Sequence, residues 1–81
     1  MRFTYDPRYN IAYLRFQEKM AGVETVKLSD ELLVDMDPDG RIYGIELLNA
    51  NEQLTRGDEN QLLVINEATG EETGLPIAIG G

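Results

Sequence analysis

The sequence predicts an α+β chain, mainly β: an antiparallel β-meander of about five strands, one short helix after the fifth, and a C-terminal tail with two further candidate strands. Three observations predict this. Short runs rich in β-branched and aromatic residues fill the first fifty positions. Turn-forming clusters separate those runs every eight to twelve residues or so, the spacing of hairpin-linked strands. After Leu48 the pattern changes to Asn, Glu and Leu, ending at Gly57, which suits a helix of two turns or fewer.

The first strand is "RFTY" (Arg2 to Tyr5). Pro7 ends it, because its ring fixes φ, removes a donor and pushes Asp6 out of the helical region. "IAYLRFQ" (Ile11 to Gln17) is the second strand. Its period of two sets Ile11, Tyr13 and Arg15 on one face and Ala12, Leu14 and Phe16 on the other. The wholly apolar second set is the expected core face. "EKMAG" connects to "VETVKL" (Val23 to Leu28), whose apolar residues do not alternate strictly. "SDE" is a turn, since short polar side chains bond neighbouring backbone groups. "LLVDM" (Leu32 to Met36) and "RIYGIELL" (Arg41 to Leu48) are strands four and five. Asn49 or Asn51 is the candidate N-cap of the helix, with Glu52 in its first turn. In the tail, "LLVI" and "PIAI" are candidate strands joined by "NEATGEETG". Three placements stand open for them: a terminal hairpin, pairing with the main sheet, or exchange with a second chain, because two isolated strands are marginal in water.

One small domain over 1–81 is expected, with a β core over 1–55 and a tail over 58–81. A chain of this size buries only about 60 to 65% of its unfolded surface. The formal charge of −8 argues against a phosphate-backbone partner. Residues 1–27 carry five basic and three acidic side chains, whereas 28–81 carry two basic and twelve acidic. The acidic half is a solvated surface or a face for a basic partner. Without Cys, His or Trp, thiol nucleophiles, thiolate zinc sites and histidine acid–base chemistry are excluded. No catalytic residue and no cofactor is therefore assigned. The start "MRFTYDPRYN" lacks the apolar run of a signal peptide, and no segment approaches the roughly 20 apolar residues of a spanning helix. A cytoplasmic protein is expected, with no membrane partner.

One motif competes with this picture. "DMDPDGRIYGIE" fits the calcium-loop pattern D-x-[DN]-x-[DN]-G-x5-E, with Asp35, Asp37, Asp39 and Glu46 as side-chain ligands. Such a loop works between two helices, and the incoming flank "VETVKLSDELLV" is strand-like. A hairpin explains the same residues: Asp37 opens a type I turn, Pro38 and Asp39 occupy its centre, and Gly40 takes the positive φ of a small bulge. Gly44, inside the next strand, is expected to admit a large neighbour such as Tyr13 or Tyr5, or else a ligand. Arg15 and Glu46 are candidates for a cross-strand salt bridge. Tyr5, Tyr9 and Tyr13 with Arg8 and Arg15 are the basic and aromatic cluster of the chain; half-buried tyrosines with wet hydroxyls explain them better than base stacking.

"TYDPRYNIAYLRF" followed by "LLVDMDPDGRIYGIELLNA" resembles the small bacterial and archaeal family catalogued as domain of unknown function twenty-two eighty-three. The matching residues are Tyr5, Asp6, Tyr13, Leu14, Arg15, Phe16, Gly40, Arg41, Ile42, Gly44, Ile45 and Glu46, and the likeness runs from residue 1 to about 55. The resemblance implies a compact antiparallel sheet with a short helix, and carries no catalytic residues. Some members resemble toxin and antitoxin pairs in genomic setting, which implies a protein-binding role. The expected function is a non-catalytic protein-interaction module, antitoxin-like and homodimeric, using Tyr13, Arg15, Gly44 and Glu46. Divalent-cation binding through Asp35 to Glu46 is the alternative.

Overall fold

The computed structural model describes residues 1–18, 22–57 and 60–77. The chain divides into two compact units, Met1–Ala50 and Asn51–Gly81. The first is an antiparallel sheet of five strands: β1 (Arg2–Asp6), β2 (Ile11–Arg15), β3 (Glu24–Ser29), β4 (Leu32–Met36) and β5 (Ile42–Leu48). A short helix, α1 (Ala50–Thr55), follows as expected. The second unit carries a two-stranded hairpin, β6 (Gln61–Ile65) and β7 (Glu72–Pro76).

Within the five-stranded sheet the strands do not lie in chain order. The spatial order is β1-β2-β5-β4-β3, so β5 sits at the centre between β2 and β4. The β2–β3 connection, which includes "EKMAG", joins opposite sides of the β5–β4 pair; Lys19, Met20 and Ala21 lie outside the described residues. Each turn is built from local side-chain chemistry. After β1 the Asp6 carboxylate accepts from the Arg8 backbone N–H at 2.9 Å and from its guanidinium at 3.0 and 3.1 Å. Those hydrogen bonds, the guanidinium first, hold the Asp6 carboxyl below the usual carboxylate range. Between β4 and β5, Asp37 Oδ1 accepts from the N–H groups of Asp39 and Arg41, both at 2.9 Å, and Gly40 adopts φ +86°. "DPDG" is thus the hairpin with its glycine bulge.

Register assigns the two sides of the sheet. β1 pairs Phe3 with Leu14 and Tyr5 with Ala12; β5 pairs Leu47 with both Ala12 and Leu32, and Ile45 with both Leu14 and Val34. This side is apolar. Ala12, Val34, Tyr43 and Ala50 are buried, yet no large side chain in the described residues is fully buried. Phe16 was expected beside Ala12 and Leu14 on the core face, but β2 ends at Arg15 and Phe16 is 44% exposed. Its N–H bonds the carbonyl of Tyr43 as the chain leaves the sheet.

The helix begins after Asn49, which takes a left-handed φ of +52°, and Asn51 Oδ1 accepts from Glu52 N–H at 2.8 Å. In the tail, the hairpin placement holds, but its second strand is "ETGLP" rather than "PIAI". Asn66 Oδ1 caps Ala68 and Thr69, Asn66 also exchanges backbone bonds with Gly70 and Glu71, and Gly70 takes φ +78°. That starts the second strand at Glu72, four residues before the Pro76 of the apolar pattern. Ala78 and Ile79 lie outside the described residues.

Candidate polar cleft

The other side of the five-stranded sheet is polar. Two rows cross it. In one, Arg2 of β1 faces Arg15 of β2, Arg15 faces Gly44 of β5, Gly44 faces Asp35 of β4, and Asp35 faces Thr25 of β3. In the next, Thr4, Tyr13, Glu46 and Leu33 follow in the same strand order. All of these except Gly44 and Leu33 line an open cleft of about 460 Å³.

Asp35 is the buried carboxylate of this side, 6% exposed. The Tyr13 hydroxyl donates to its Oδ2 and the Thr25 hydroxyl to its Oδ1, both at 2.6 Å, in the range of hydrogen bonds to an ionised acceptor. Tyr13 reaches Asp35 by lying across Gly44: a Cβ at Gly44 would fall 2.4 Å from the tyrosine hydroxyl. Gly44 therefore does admit Tyr13, as its place inside a strand suggests. Tyr5 stands on the opposite side, with its hydroxyl on Asn10 Oδ1 at 3.3 Å, and Tyr9 is 71% exposed beneath the Arg8 guanidinium. The tyrosine and arginine cluster is thus dispersed over both sides of the sheet.

Arg15 and Glu46 share the cleft but sit one step apart diagonally, because Arg15 pairs with Gly44 and Glu46 with Tyr13. The expected bridge between them does not form. Arg15 instead contacts Glu18 at 3.4 Å. The four carboxylates of the calcium pattern are also separated in role: Asp35 serves Tyr13 and Thr25, Asp37 caps the turn, Asp39 is exposed in that turn, and Glu46 lies beside Tyr13. Among the described residues no group of three acidic side chains is placed to hold a metal ion. Arg2, Thr4 and Thr25 were not singled out by sequence reasoning, although the period of two on each strand puts them on the side of Tyr13.

Burial first, then the hydrogen bond to Asp35 and its charge, pushes the Tyr13 phenol up from 10.0 to about 12. It stays protonated across the neutral range and acts as a donor. Because the folded state holds this proton more tightly than the unfolded one, the stabilisation is complete below pH 10 and is lost as pH rises towards 12. Urea midpoints between pH 8 and 12 should fall more steeply for the wild type than for Tyr13→Phe; parallel curves would contradict the assignment.

Fold and cleft define a class: a small antiparallel-sheet protein with one apolar and one polar side, the polar side organised about a buried carboxylate. A family model described as "Protein of unknown function (DUF2283)" matches residues 2–51, more than half of the chain, and the chain belongs to that family. No curated protein and no solved structure matches it. Among the described residues no helix is long and apolar enough to cross a membrane.

Proposed function

We propose that the chain is a non-catalytic protein-interaction module that self-associates through the apolar side of its main sheet and offers the polar cleft to a protein partner, in the manner of an antitoxin. One observation carries this reading. A five-stranded sheet with one apolar side needs a second layer, and among the described residues Tyr43 is the one large side chain of that side that is buried, while Phe3 is 45% exposed. A second copy is the occupant. The β6–β7 hairpin points the same way, because Leu62, Leu63, Val64, Ile65 and Leu75 are 39–52% exposed and two strands alone are marginal. The rigid, hydroxyl-clamped Asp35 supports binding rather than turnover.

Sedimentation at tens of micromolar should give twice the chain mass. Phe3→Glu, at an edge-strand position 45% exposed, should return a folded monomer. A wild-type monomer at that concentration removes the self-association. Calcium binding at Asp35 to Glu46 has weaker support, since Asp35 and Asp37 already accept hydrogen bonds from the protein. Millimolar calcium is expected to leave the melting temperature unchanged; a rise would reopen it.

A further inference from the structure

The polar cleft holds two carboxylates, Asp35 taken up by the Tyr13 and Thr25 hydroxyls and Glu46 one diagonal step from Arg15, while its two arginines stand together on the neighbouring strands. Arg2 and Arg15 stand directly opposite each other on β1 and β2, on the same side of the sheet. Like charges in that relation are destabilising unless an anion lies between them. Among the described residues Arg2 makes no ion pair, and the contact of Arg15 with Glu18 is long, at 3.4 Å, to a side chain 84% exposed. Such a pair holds its partner weakly. Next in the same row comes Gly44, over which the Tyr13 ring of the neighbouring row lies as the wall of the cleft, and then Asp35.

We infer that Arg2 and Arg15 form a clamp for a carboxylate, and that the partner of the proposed interaction module inserts an acidic side chain between them. This rests on the interaction reading and specifies its chemistry. Two guanidinium forks match a carboxylate bidentately, and adjoining Thr4 supplies a hydroxyl. The acid selected is local: the chain as a whole carries −8, which repels anions at long range. At about 0.15 M salt the Debye length is only about 8 Å, so the long-range repulsion is screened while the contact with the two arginines survives.

The test is a titration of the full, isotope-labelled chain at that salt with an end-blocked hexaglutamate peptide, followed by amide and arginine side-chain NMR. Hexalysine and inorganic phosphate are the comparison arms. Shifts confined to Arg2, Thr4, Tyr13 and Arg15, with affinity reduced at least tenfold in Arg2→Gln/Arg15→Gln, are the expected result. The same variant should keep its fold, because it relieves a like-charge pair, and Arg2→Lys/Arg15→Lys should lose most of the affinity through loss of the fork. Binding of hexalysine instead, phosphate bound more tightly than the peptide, or undiminished binding by the glutamine variant would overturn the clamp. Sedimentation separates this from the underlying reading. A dimer that ignores hexaglutamate removes the clamp alone, whereas a monomer that still binds it removes self-association alone. If the glutamine variant becomes monomeric, the arginines belong to the dimer interface and the clamp is wrong.

Discussion

Gly44→Ala should destabilise the five-stranded unit by about 2–4 kcal/mol, a large effect for a single methyl group. The new Cβ would lie 2.4 Å from the Tyr13 hydroxyl, 2.5 Å from Cζ and 2.7 Å from Cε1, all closer than packed atoms tolerate. A flexible side chain would swing aside. Tyr13 is a rigid ring whose far end is fastened to buried Asp35 at 2.6 Å, so moving it breaks a hydrogen bond to a charged group. Overpacking costs about 1–3 kcal/mol and losing such a bond about 1.5–3 kcal/mol. The gain from replacing a strand glycine, about 0.5–1 kcal/mol, offsets part of this. Urea unfolding measures the net value. In a Tyr13→Ala background the collision is absent, and Gly44→Ala should become neutral or slightly stabilising. An equal loss in both backgrounds would refute the steric account.

That pairing of Gly44 with Tyr13 was legible because it depends on two local facts, a glycine within a strand and a tyrosine on the side facing it. The individual strands were legible for a similar reason: each is bounded by turn chemistry, Asp6-Pro7 or Asp37 to Gly40, that works within four or five residues. Strand order was not. Nothing local tells β5 to pair with β2 rather than stay only beside β4, since both neighbours offer apolar residues in the same register. β7 escaped notice because "ETGLP" is exposed along its length and so shows no hydrophobic period. Asp35 was read through its neighbours Asp37 and Asp39, whereas its partners lie 22 and 10 residues away. A short motif weights local company, and a sheet takes its partners from across the chain.

Those distant partners make the second large prediction. Tyr13→Phe removes one donor from a carboxylate that remains buried, and is expected to cost about 1.5–3 kcal/mol. Thr25→Val should cost less, about 1–2 kcal/mol, because Thr25 sits on the outer strand β3 and is itself exposed. The two losses should not add, since both act on one carboxylate. The informative variant is the triple Tyr13→Phe/Thr25→Val/Asp35→Leu. It removes acceptor and donors together, leaving no buried charge to be solvated. If the ionised Asp35 is held at a cost in stability, as buried ions usually are, the triple variant recovers to within about 1 kcal/mol of the wild type or exceeds it. If it remains as unstable as Tyr13→Phe/Thr25→Val, the carboxylate is contributing net stability and is not being kept for the shape of the cleft. Recovery would mean that the sheet tolerates an apolar substitute. Asp35 would then serve chiefly to hold Tyr13 flat over Gly44 and so to set the wall beside Arg15.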